Sequence, residues 1–138
     1  MDNTILTWNR QKGIKGDKRK ILIIDDSALV LRNMKALLQD EYEVMIATGG
    51  EMGIQKAVEK RPDIILLDYE MPGLNGKETF EKLAISQTTS NIPVIFLTSV
   101  SEGKKVLEIL ERHPAGYILK PPDRDKLVQQ IEQILSVC

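Results

Sequence analysis

The sequence holds one cysteine, Cys138, in 138 residues. A single thiol excludes an internal disulfide framework and a cysteine-based zinc site. Histidine is equally scarce. The one present, His113, precedes Pro114, a pairing that tends to end a helix, so it reads as a surface or helix-end residue and not as a phosphate donor or metal ligand. No apolar run approaches the ~18 residues of a membrane span, and the first residues lack the ~7–15-residue apolar stretch of a secretory signal. The expectation is a cytoplasmic chain without membrane attachment. An excess of one charge is also missing. Nineteen Lys+Arg face twenty Asp+Glu, a net charge of -1, which argues against direct binding of nucleic acid, since such domains are basic. Gly49-Gly50 stand in no GxxxxGK[ST] pattern, so a P-loop is excluded. What remains is a hydrophobic content of 42%, enough for one core in a chain of one domain's length.

Residues 1–19 differ from the rest. They carry Arg10, Lys12, Lys15, Lys18 and Arg19 against Asp2 and Asp17, and Gly13 and Gly16 interrupt any helix. They read as a flexible basic N-terminal arm, with Ile5, Leu6 and Trp8 as an apolar anchor if the arm docks. Residues 20–138 form the folded domain. Four short apolar runs stand out there: residues 21–24, 64–67, 94–97 and 117–119. None alternates apolar with polar, which is the pattern of a central parallel strand covered on both faces. Residues 44–47 form a weaker run, read as an edge strand. Between the runs, Val30, Met34, Leu37 and Leu38 share one helical face, as do Leu127, Ile131, Ile134 and Leu135. Ile54, Ala57 and Val58, then Phe80, Leu83 and Ala84, then Val106, Ile109 and Leu110 mark three further helices. Five strand–helix repeats demand parallel strands with right-handed crossovers. The predicted fold is α/β: a doubly wound five-stranded parallel sheet, flavodoxin-like, of order 2-1-3-4-5, with helices on both faces.

The residues after the apolar runs carry the chemistry. Asp25 and Asp26 follow the first run, Asp68 the third, Thr98 the fourth and Lys120 the fifth. All lie at carboxyl ends of predicted strands, the edge where open α/β sheets bind ligands. Each has a plain structural reading alone. Asp26 or Ser27 could cap a helix, Asp68 could open the turn into Met71-Pro72-Gly73, and Lys120 could be a solvated charge. Four strand ends bearing three carboxylates, a hydroxyl and an ammonium are hard to explain that way together. In the order 2-1-3-4-5, strands 1 and 3 are neighbours ~4.8 Å apart. Asp25, Asp26 and Asp68 would then repel unless a cation lay among them. An all-oxygen site suits a hard divalent ion, and Mg²⁺ best, because it shares its shell with waters and a phosphoryl group. With Thr98 and Lys120 on the other side, such a carboxylate is equipped to accept a phosphoryl group as an aspartyl-phosphate.

The stretches ILIIDDS (21–27), DIILLDYEMPGLNG (63–76), IPVIFLTS (92–99) and YILKP (117–121) resemble the receiver domain of two-component response regulators. The resemblance covers about residues 20–137. It implies that Asp68 is the phosphoacceptor and that Asp25 and Asp26 are the acidic pair, Asp26 binding Mg²⁺ directly and Asp25 mainly through water. It implies that the backbone carbonyl of Glu70 completes the metal shell, that Thr98 is the switch hydroxyl, and that Lys120 pairs with the phosphate. Tyr117 would be the aromatic that turns inward as Thr98 moves, although plain core packing also suits it. The Lys120–Pro121 bond is usually cis in this family. Some positions depart from the pattern. Ser99 replaces a small Ala or Gly, Pro122 follows Pro121 where an apolar aromatic is common, and Ala115-Gly116 lack the acids that pair across a dimer face in DNA-binding relatives.

The expected function is that of a phosphorelay receiver. It would take a phosphoryl group from a sensor histidine kinase or phosphotransfer protein, switch a helix 4–strand 5–helix 5 surface toward a downstream protein, and lose the phosphate by slow hydrolysis. It would be a monomer or weak dimer and a signalling module, not a metabolic enzyme. No output domain is expected after the last helix, so the chain reads as a stand-alone receiver or a piece of a larger regulator. Glu70 and Val100 are expected to influence water access. Two alternatives share the fold. One is a small Mg²⁺-dependent phosphatase with Asp68 as turnover nucleophile. The other is a flavin-mononucleotide binder, for which the Ser/Thr- and Gly-rich loop after strand 1 is missing.

Overall fold

The computed structural model describes residues 18–99 and 103–136. The apolar anchor of the arm, Val100 and Cys138 lie outside the described residues. Five strands and five helices alternate: β1 (Lys20–Ile24), α1 (Ala28–Leu38), β2 (Glu43–Ala47), α2 (Gly50–Lys60), β3 (Ile64–Asp68), α3 (Gly76–Ile85), β4 (Val94–Thr98), α4 (Gly103–Leu110), β5 (Gly116–Leu119) and α5 (Arg124–Ser136). All strand pairs are parallel, in the order β2-β1-β3-β4-β5. This is the expected doubly wound sheet.

Strand alternation divides the core into two layers. Ile21, Ile23, Ile64, Leu66, Ile95 and Leu97 point to one face and pack on Leu31, Met34 and Leu38 of α1 and Leu127, Ile131 and Leu135 of α5. Leu22, Ile24, Ile65, Leu67, Val94 and Phe96 point to the other, against Ala57, Leu83 and Ile109 of α2, α3 and α4. Burial of each such side chain contributes roughly 1.5–3 kcal/mol. The runs that fail to alternate in sequence are therefore those sandwiched on both faces.

The strand at residues 117–119 takes the edge position that the predicted order gives it. β5 is an edge strand, paired with β4 alone, and Leu119 is 45% exposed. Its apolar pattern matches a central strand because an edge strand covered by helices buries one flank while the other meets solvent. Three helical residues also differ from the expected apolar faces: Val58, Ala84 and Leu110 are exposed. The inner face of α2 is instead made by Gly50, Gly53 and Ala57, because Ile24 lies where a side chain on Gly53 would stand.

Local signals set the helix boundaries. The Ser27 hydroxyl accepts from the Val30 N–H at 3.2 Å and caps α1. Asn75 and Glu78 form a reciprocal capping box at α3 (2.8 and 3.1 Å). His113 is exposed just past α4, with φ of 53°, in agreement with its reading as a helix-end residue. The two ends of α5 are tied to the α1–β2 connection. Arg124 Nε donates to the Leu37 carbonyl at 3.2 Å, its guanidinium meets Glu41, and the Tyr42 hydroxyl donates to Glu132. Lys18 and Arg19 contact the domain through the Gln39 carbonyl and Asp63.

Candidate functional site

The carboxyl edge of the sheet gathers the polar residues named from sequence. Past Ile24 the β1 backbone keeps its ladder for one more residue, as the Asp25 N–H donates to the Ala47 carbonyl at 3.1 Å. That fixes a fully buried carboxylate at the sheet rim. Asp25 Oδ1 accepts from the Ser27 N–H at 2.9 Å. Ser27 therefore serves the helix cap, and Asp26, exposed beside it, is left for another task. Asp68 is the last residue of β3 and 4% exposed. One oxygen from each of Asp25, Asp26 and Asp68 can be chosen so that all three lie within 4.8 Å of one another.

Lys120 follows β5 and crosses two strands to reach the same acids. Its N–H donates to the Thr98 carbonyl at 2.9 Å, and its Nζ stands 2.6 Å from Asp25 Oδ2 and 3.1 Å from Asp68 Oδ1. The Lys120–Pro121 bond is cis. Thr98 closes β4, 1% exposed, and its strand neighbour Leu97 is the register partner of Asp68. Glu70 is exposed, and its N–H lies 3.4 Å from Asp68 Oδ1. Tyr117 sits apart from the rim. It pairs with Phe96 and is half-buried against the second core layer.

The electrostatics follow from this crowding. Burial, and then the neighbouring Asp25 charge, push the Asp68 carboxyl up to about 7, while Lys120 and the Glu70 N–H oppose the rise. Burial works against the Lys120 charge, but its bonds to Asp25 and Asp68 outweigh it and raise its pKa. One ammonium thus serves two buried carboxylates with a third beside them. Three clustered acids with one cation are under-neutralised, and their all-oxygen donor set fits a hard divalent ion.

The connection into α3 is drawn tight against the end of β3. The Gly76 N–H donates to the Tyr69 carbonyl at 3.1 Å. A Cβ on Gly76 would lie 2.2 Å from the Asp68 carbonyl oxygen and 2.6 Å from Tyr69 Cα, so only glycine fits. At the loop tip Gly73 has φ of +71° and open space around it. Beside this loop lies a cavity of about 390 Å³ lined by Tyr69, Glu70, Met71, Lys77 and Glu108, among others. The Tyr69 hydroxyl donates to the Glu108 carboxylate of α4. Sequence reasoning missed this pair, because its members stand 39 residues apart with no pattern linking them.

A doubly wound parallel sheet thus carries an acidic pocket and a bridging lysine at its carboxyl edge. The family model of the response regulator receiver domain matches residues 21–132, and the chain belongs to that family. It is 32% identical over 118 residues to Protein PilH of Pseudomonas aeruginosa, covering 85% of this chain and 98% of that protein. It is 36% identical over 116 residues to the nitrate/nitrite response regulator protein NarL of Escherichia coli, covering 82% of this chain and 53% of that one. The chain therefore spans about half the length of the nitrate/nitrite regulators it matches. Among solved structures, chemotaxis protein CheY4 of Vibrio cholerae superposes with a TM-score of 0.78 at 27% identity, over 84% of this chain and 98% of that one. These relatives support phosphoryl acceptance and signal switching, and nothing in them favours the phosphatase alternative.

Proposed function

We propose that this chain receives its phosphoryl group on Asp68. The observation that carries the assignment is the convergence of Asp25, Asp26 and Asp68 with Lys120 Nζ bridging Asp25 and Asp68. An Asp68 carboxylate oxygen attacks the phosphorus of a phosphohistidine on a sensor kinase or phosphotransfer protein. The P–N bond breaks, the imidazole takes up a proton, and Asp68 becomes an acyl phosphate. Lys120, already at hydrogen-bond distance from Asp68, pairs with an oxygen of the transferring group, and the Thr98 hydroxyl donates to another. Asp25, Asp26, Asp68 and the Glu70 carbonyl would hold Mg²⁺, which when bound neutralises charge on the phosphoryl oxygens. Water attacking the same phosphorus later breaks the P–O bond to Asp68 and returns the carboxylate with inorganic phosphate. Catalysis is thus limited to the chain's own modification.

The switch reading assigns Thr98 and Tyr117 to a rearrangement that changes the α4–β5–α5 surface offered to a downstream protein. Residues 20–138 form the receiver and 1–19 a basic arm. The module acts in the cytoplasm as a monomer or weak dimer, away from nucleic acid and membrane. Among the described residues no helix is long and apolar enough to cross a membrane. Incubation with acetyl phosphate and Mg²⁺ should add one phosphate by intact mass, and Asp68→Asn should abolish it. Labelling of the Asn variant would remove Asp68 as acceptor.

A further inference from the structure

The side chain next after Asp68 has no role in the mechanism above, yet it is 4% exposed. The Tyr69 ring stands edge-on to Phe96, with centroids 5.1 Å apart and planes at 85°. Its N–H donates to the Leu97 carbonyl at 2.8 Å. Its hydroxyl donates to Glu108, in the last turn of α4. Tyr69 therefore joins the acceptor strand, β4 and α4 through one residue.

Helix α4 meets the rest of the domain through both apolar and polar side chains. Of its described apolar side chains, Ile109 is buried and Val106 half-buried, while Leu107 and Leu110 are 63% and 44% exposed. Arg112 reaches back to the Glu108 carbonyl at 2.7 Å and stands 3.9 Å from Glu81. A hydrogen bond from a buried hydroxyl to a carboxylate is among the stronger side-chain contacts. This one ties the last turn of α4 to the residue that follows β3. The backbone just beyond it also touches the Asp68 carboxylate. The Glu70 N–H lies 3.4 Å from Asp68 Oδ1, so Tyr69 sits between two residues whose mutual contact must change when Asp68 gains a phosphoryl group.

We infer that the Tyr69–Glu108 hydrogen bond is a latch that seats α4 in the unmodified chain and releases it when Asp68 is modified, by a route separate from Thr98 and Tyr117. The inference rests on Asp68 being the acceptor. A phosphoryl group adds negative charge and acceptor oxygens at residue 68, drawing in the Glu70 N–H and turning the 68–70 backbone. The Tyr69 hydroxyl moves with that turn, and the helix loses its polar anchor. The two arrangements are those of a two-state element.

The test is amide hydrogen exchange on the full chain, with and without acetyl phosphate and Mg²⁺, with intact mass reporting occupancy. In the wild type, amides of residues 107–110 should exchange about tenfold faster once Asp68 is modified, as expected for loss of one such bond. Tyr69→Phe keeps the ring on Phe96 and removes the donor. It should exchange fast in both states, with phosphate occupancy retained and β1 and β3 amides unchanged. Glu108→Gln keeps an acceptor and should follow the wild type, whereas Glu108→Leu should copy Tyr69→Phe. If α4 in Tyr69→Phe stays as slow as in the wild type, or still responds to phosphate by the full wild-type factor, the latch is overturned. If no protein gains phosphate, the acceptor assignment fails instead, and the exchange of unmodified Tyr69→Phe alone decides whether the bond seats the helix.

Discussion

Replacing Asp68 by asparagine should change the pH dependence of stability in a defined direction. In the metal-free chain the Asp68 carboxyl is pushed from 3.8 to about 7 by burial and by Asp25. A raised carboxyl pKa means that the folded state holds the proton more tightly than the unfolded one. Its ionisation therefore destabilises the fold progressively as pH rises from about 4 to about 7, and the full penalty stands above that. A shift of roughly three pH units at ~1.36 kcal/mol each amounts to ~4 kcal/mol. Asp68→Asn removes the ionisation. In chelator, urea unfolding of wild type and variant at a series of pH values should give a difference that favours the variant increasingly from pH 4 to 7.5. Mg²⁺ should shrink that difference, because it stabilises the ionised wild type and has less to bind in the variant. A difference that stays constant with pH would refute the account of a buried carboxylate crowded by Asp25.

Two further outcomes follow from the same architecture. Millimolar Mg²⁺ should raise the melting temperature of the wild type at neutral pH, and Asp26→Asn, altering the exposed member of the cluster, should reduce the rise. An unchanged melting curve would count against metal binding there. Leu66→Ala, at a fully buried position between α1, α5 and the sheet, should cost ~2–5 kcal/mol by urea unfolding. A loss under ~1 kcal/mol would mean that the first core layer collapses around the gap.

Much of the fold was legible because the sheet is parallel. Strands buried on both faces leave unbroken apolar runs, and those at residues 21–24, 64–67 and 94–97 mark β1, β3 and β4 directly. The same signal marks the strand at 117–119, which the predicted order sets at the edge, since apolar content reports how much a strand is covered and not how many strand partners it has. The site was legible for a topological reason. Parallel strands end on one edge, so Asp25, Asp26, Asp68 and Lys120 must meet there whatever their separation in sequence. What stayed hidden depends on side-chain length and direction. Nothing in the pattern told that Lys120 Nζ would sit closer to Asp25 than to Asp68. Nothing told that Tyr69 would reach Glu108, or that Val58, Ala84 and Leu110 would turn outward, because helical spacing fixes a stripe but not its centre.

The close approach at Gly76 divides the connection after β3 into two regions with different tolerance to change. Residues 69 and 76 are pinned together by a backbone bond and by the absence of any room for a side chain. Pro72 and Gly73 at the tip are exposed. Variation in the length or composition of that tip is absorbed before it reaches the Asp68 end of the strand. The outer loop can vary while residues 69 and 76 keep their contact.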